Sequence, residues 1–148
     1  MAIFTSARKL RQILLWLGTA EKRLVTRVNR VLKDGQLPYA QFLVLDHLAS
    51  LPGDRWTVTD LASALETGQP GVSKILNRLA AKNYVRVETD ADDARLKHHR
   101  LTEGGLSAHR EASRRLAPLA GEVFENWQDA DIDALHELLY TLKSDLRA

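Results

Sequence analysis

Apolar residues recur at helical spacing near the start of the chain: Leu10, Ile13, Leu14, Leu17, Leu24, Val28 and Val31 fall on one face. The spacing predicts an amphipathic helix over residues 6–33, stopped by Asp34-Gly35. Pro38 suits the first turn of a second helix, which carries Phe42, Leu45 and Leu48 to about Ser50. Leu51-Pro52-Gly53-Asp54 is a turn. Thr57-Val58-Thr59-Asp60 starts a third helix, with a threonine cap and an acidic residue three positions on. That helix runs through Leu61, Ala62 and Leu65 until Glu66-Thr67-Gly68-Gln69 breaks it. Pro70 restarts helix with Val72, Ile75, Leu76 and Leu79 inward. Two short helices joined by a tight, glycine-containing turn make a helix-turn-helix pattern.

The period then changes from helical to alternating. Tyr84-Val85-Arg86-Val87-Glu88 reads as a strand, Asp90 to Ala94 as a polar loop tip, and Lys97 to Leu101 as the return strand. A helix-turn-helix followed by a β-hairpin is a winged helix. Thr102 and Glu103 open a further helix through Leu106, Leu116, Val123, Phe124 and Trp127, which Pro118 and Gly121 should kink or weaken. Asp129 or Asp131 is expected to cap a last helix carrying Ile132, Leu135, Leu138, Leu139, Leu142 and Leu146. The expected fold is therefore mainly α with a small β-wing.

Charge sharpens this picture. The 148 residues sum to only +2, with 21 Lys+Arg against 19 Asp+Glu, but the segments differ. Residues 1–35 carry +6, 36–68 carry −3, 69–101 carry +3 and 102–148 carry −4. The basic third segment is the recognition helix and wing, which suits a polyanion. There are no cysteines, which removes disulfides, thiolate zinc sites and thiol switches. The two adjacent histidines, His98 and His99, point to opposite faces of a strand, and no metal site is expected. No cofactor is expected, and no nucleophile elbow, phosphate loop or zinc-protease helix argues for an enzyme.

Several short stretches carry a family resemblance. They are Thr57 to Ala62, Gln69-Pro70-Gly71-Val72-Ser73-Lys74-Ile75-Leu76-Asn77-Arg78-Leu79, Lys82-Asn83-Tyr84-Val85, and the wing Asp93-Ala94-Arg95 followed by Leu101-Thr102-Glu103-Gly104-Gly105. Together they resemble the multiple-antibiotic-resistance regulator (MarR) family of winged-helix transcription regulators. The resemblance implies a single protomer over 1–148. In it, residues 36–101 form the helix-turn-helix and wing, and 1–35 and 102–148 supply dimerisation helices. It implies a homodimer on a pseudo-palindromic operator in double-stranded DNA, acting as a repressor released by a small ligand. The alternative use of such a module is protein interaction or architecture without specific operator reading.

The DNA contacts expected from residue type and position are Gln69, Pro70, Ser73, Lys74, Asn77 and Arg78 on the recognition helix. On the wing they are Asp93, Arg95 and Lys97, with Arg100 as a further phosphate contact. In the family the arginine of Asp-x-Arg enters the minor groove and the aspartate orients it. Two departures stand out: Ala94 replaces a frequent second arginine, and Gly68 replaces a frequent Ser or Thr cap. A small aromatic or carboxylate effector is expected near Trp16, Tyr39, Phe42 and His47, by type and approximate position. Residues 8–20 superficially resemble a secretory signal, but the helical period continues past the small residues Gly18-Thr19-Ala20. The expectation is a cytoplasmic protein with no membrane partner.

Overall fold

The computed structural model describes residues 2–50 and 55–147, with side chains from Ala7 onward. The Leu51–Asp54 turn expected above lies outside the described residues. In chain order the elements are helices α1 (Ala2–Leu32), α2 (Tyr39–Ser50), α3 (Val58–Ala64) and α4 (Gln69–Ala81), strands β1 (Val85–Thr89) and β2 (Lys97–Leu101), and helices α5 (Glu103–Phe124) and α6 (Asp129–Asp145). A single 3-10 turn, Lys33–Gly35, ends α1 where Asp34-Gly35 was expected to stop it. Helix α1 begins before residue 6 and runs unbroken through Gly18-Thr19-Ala20. No helix among the described residues is long and apolar enough to cross a membrane.

The chain divides into two compact units, Met1–Leu116 and Ala117–Ala148. The boundary falls one residue before Pro118, although α5 continues through the proline. Pro118 has no N–H to offer the carbonyl four residues back, so the helical ladder is weakest there.

The first unit is built around Val44, Leu45, Leu48, Leu61, Val72, Leu76, Leu79 and Val85, all nearly inaccessible to solvent. Val28, Leu32, Leu37 and Ala112 extend this core. Helix α3 starts with the expected capping box. Asp60 N–H donates to Thr57 Oγ1 (3.1 Å), and Thr57 N–H donates back to Asp60 Oδ2 (3.2 Å). The α3–α4 turn places Gly68 at the cap position expected of it. Gly68 is extended as the N-cap of α4, and the left-handed residue of the turn is Glu66 (φ 51°). Pro38 lies just before α2, where its carbonyl accepts from Gln41 and Phe42 N–H.

The wing strands pair antiparallel in the register Val85↔Leu101, Val87↔His99, Thr89↔Lys97. Strand β1 sits one residue later than the alternation suggested. Trp56 adds a one-residue bridge on the other edge of β2, exchanging backbone hydrogen bonds with His99 (3.2 and 2.7 Å).

Thr102 fixes the start of α5: its Oγ1 donates to Asn83 O (2.6 Å) and accepts from Gly105 N–H (3.0 Å). Gly105 lets the helix approach the chain just beyond α4. A Cβ there would sit 2.1 Å from Tyr84 O and 2.7 Å from Leu101 Cδ1. Backbone cannot yield as a flexible side chain can. Gly105→Ala is therefore expected to cost about 2–3 kcal/mol, seen as a fall of roughly 5 °C or more in Tm by thermal melting. An unchanged Tm would mean that this approach relaxes freely.

In the second unit, α6 starts at an N-cap of Gln128 that makes no side-chain cap bond, so neither Asp129 nor Asp131 caps it. Both carboxylates lie instead in the first turn, where the positive end of the helix dipole favours them. Phe124 and Trp127 meet edge to face at 5.4 Å. No residue of α6 is buried in the lone chain.

Candidate nucleic-acid interface

Two features of the first unit present polar groups to solvent from a rigid support. The first is α4. Its buried residues, Val72, Leu76 and Leu79, hold one side against the core. Gln69, Pro70, Lys74, Asn77 and Arg78 are exposed and Ser73 is half-buried, so all six expected residues lie off the packed face. From Gln69 to Arg78 this surface runs about 14 Å along the helix. Gly68 caps α4 without a side chain, and Pro70 stands at the second helical position, where a missing N–H costs nothing. The first turn is thus slim enough for close backbone approach.

The C-terminal end of α4 is anchored. Lys82 Nζ donates to Gln36 O and to the buried Gln41 Oε1 (2.7 Å). Burial, reinforced by the nearby Arg78 charge, lowers the Lys82 pKa from its ordinary value. These bonds join the recognition helix to the corner between α1 and α2.

The second feature is the wing tip. Asp93 Oδ1 accepts from both Arg95 N–H (2.9 Å) and Arg95 Nε–H (3.2 Å). The Arg95 side chain is nonetheless 91% exposed. An ion pair so open to water adds little stability. Its effect is to aim the guanidinium. Behind the tip, Asp90 N–H donates to Leu96 O and Leu96 N–H to Asp93 O (both 3.0 Å), which closes the loop. Lys97 Nζ donates to Thr89 Oγ1 across the strands (2.8 Å) and remains exposed. Arg100 is different: Nη1 lies 3.9 Å from Glu88 Oε1, a carboxylate that also holds Arg86 Nε at 3.3 Å. Glu88 therefore competes for the charge that the sequence assigned to phosphate.

The two wing histidines do face opposite ways. His98 Nε2 lies 3.3 Å from Asp90 Oδ1. His99 is 5% exposed, with Nδ1 3.1 Å from Trp56 O. Burial lowers the His99 pKa, against the opposing pull of the Trp56 carbonyl. Asp90 is lowered in turn, first by its hydrogen bond with His98. Sequence reasoning missed Trp56, which supports β2 through a single residue and so leaves no periodic trace.

The four residues expected to line an effector site fall in three places. Tyr39 and Phe42 stack (6.5 Å), and Phe42 stacks on His109 of α5 (5.5 Å), whose Nε2 lies 2.8 Å from Asp46 Oδ1. His47 turns instead to Trp56, edge to face at 4.6 Å. Trp16 is 64% exposed on α1. It stands about 20 Å along that helix from Asn29, whose Oδ1 accepts from Tyr39 N–H. One chain does not bring the four together.

A family model described as "MarR family" matches residues 36–96, the segment from the α1–α2 corner to the wing. This segment of the chain is similar to the MarR family. Solved MarR-family structures share its fold. BpsR of Bordetella bronchiseptica, described with a mechanism for regulation of its DNA binding by 6-hydroxynicotinic acid, is 25% identical with a TM-score of 0.80. That match covers 89% of this chain and 98% of BpsR. A MepR–DNA complex from S. aureus is 20% identical with a TM-score of 0.83, covering 90% of this chain and 96% of that one. A cysteine-to-serine mutant of MarR from E. coli, complexed with operator DNA, is 21% identical with a TM-score of 0.80, covering 94% and 96%.

Proposed function

We propose that this protein is a MarR-family regulator: a homodimeric, sequence-specific DNA-binding protein, acting as a repressor that a small aromatic or carboxylate ligand releases. The observation that carries the DNA contact is the wing tip: a guanidinium almost wholly in solvent, yet oriented by two bonds to one carboxylate oxygen. The negative potential of a narrow minor groove attracts such a group. Asp93, Arg95 and Lys97 would hold the wing in that groove. Gln69, Pro70, Ser73, Lys74, Asn77 and Arg78 would meet the adjacent major groove, with base contacts from Gln69, Asn77 and Arg78. The MepR and MarR complexes with DNA support this reading.

The dimer rests on bare apolar side chains. Leu10, Ile13, Leu14, Leu15 and Trp16 on α1 are exposed, as are Leu138, Leu139, Tyr140 and Leu146 of the second unit. Segments 1–35 and 102–148 would cover these faces by pairing with a second copy. The effector reading draws support from BpsR and its 6-hydroxynicotinic acid, an aromatic carboxylate. Tyr39 and Phe42 would face such a ligand, whereas His47, turned to Trp56, and Trp16, far along α1, would reach it only from a partner or a second site.

Fluorescence anisotropy on DNA flanking the protein's own gene tests the whole reading. Binding is expected at about 50 mM salt and should weaken steeply as salt rises, because bound cations release counterions. Footprinting should show two half-sites with centres about 10 bp apart. Absence of binding at low salt would refute the proposal.

A further inference from the structure

The wing places one large apolar side chain where charge dominates. Leu96 is 44% exposed, directly between Arg95 and Lys97, both exposed. Its backbone is pinned on both sides, N–H to Asp93 O and carbonyl from Asp90 N–H (both 3.0 Å). Ala94, small and exposed, leaves space on the other flank of Arg95. An exposed leucine costs its solvation whenever it stays in water. A protein partner that covered Leu96 would also have to desolvate Lys97 and the Asp93-paired Arg95 beside it, which is expensive. A DNA groove offers both needs together: phosphates for the cations and C–H-lined deoxyribose walls for the leucine. Leu96 lies one residue behind the tip, where the loop closes, and so reaches the rim of a groove and not its floor.

We infer that Leu96 packs against the deoxyribose walls of the minor groove entered by Arg95, supplying an apolar contact in place of a second arginine. The inference rests on the DNA-binding reading above. It makes Leu96 a specificity residue for sugar and groove width. In RNA the 2′-hydroxyl stands in the minor groove, and a leucine pressed on it would leave it without a hydrogen-bond partner.

The test compares full-length wild type and Leu96→Ala on one operator by anisotropy over a salt series. The alanine variant should melt like wild type, since the side chain is half in solvent. It should bind about three- to tenfold more weakly, as loss of a few apolar groups implies. Its log affinity against log salt should keep the wild-type slope, because no phosphate contact is lost. Ribonucleotides placed at the wing-contacted sugars should weaken wild type by a larger factor than they weaken Leu96→Ala. Equal affinity of the two proteins overturns the inference and leaves the DNA reading standing. So does a loss accompanied by a shallower slope, or an equal ribonucleotide penalty in both. If wild type itself binds no DNA, both fall.

Discussion

Replacing Arg95 with alanine is expected to weaken operator binding about tenfold or more while the protein keeps its dimer mass. A single good groove contact contributes about 1–3 kcal/mol. The side chain is 91% exposed in the free chain, so its removal costs the fold almost nothing. The salt slope should fall by about one, because one fewer cation displaces counterions. Asp93→Ala separates aiming from charge. It removes the acceptor of two Arg95 N–H groups but adds net positive charge to the wing. Binding should fall several-fold with the salt slope retained. Titrations of both variants over the same salt series decide the matter. Unchanged affinity in Arg95→Ala would remove the wing from the interface.

The second large effect is expected at Leu138, which is 68% exposed on α6. On an isolated surface, leucine to aspartate shifts stability by no more than about 0.5 kcal/mol. Inside a dimer interface the same change buries an unpaired carboxylate, at a cost of several kcal/mol. Leu138→Asp should therefore shift the mass in sedimentation equilibrium from dimer to monomer. Operator affinity should drop by about a hundredfold or more, since two linked half-sites become two separate weak ones. Leu14→Asp on α1 should do the same if the α1 face belongs to the interface. Dimer mass retained in both variants would contradict assembly through these helices.

Local chemistry was the most legible part of this molecule. The Thr57–Asp60 capping box, the span of β2 and the inward set of α4 each follow from residues within one or two turns of each other. The wing aspartate and arginine, two positions apart, meet as their spacing implies. What depended on distant partners was hidden. Lys82 reaches Gln41 across 41 positions, and Trp56 reaches His99 across 43. Chain reversals held a detail that composition does not carry. Glu66 takes the left-handed position of the α3–α4 turn, which closes through Thr67 N–H to Ala62 O before Gly68 is reached. The α1 stripe shows a different limit. Val28 and Leu32 pack within the chain, whereas Leu10, Ile13 and Leu14 stand bare. Periodicity identifies a face but carries no information on what covers it.

The ammonium of Lys82 has a mechanical meaning. It ties the trailing end of the recognition helix to Gln36, the left-handed residue that turns the chain from α1 into α2. In the proposed two-fold assembly, a helix tied in this way would move only together with its corner, so the separation of two such helices would follow the separation of two such corners. The distance between grooves in B-form DNA is fixed, so a molecule that widened or narrowed the gap would release the DNA without touching a single base-reading side chain.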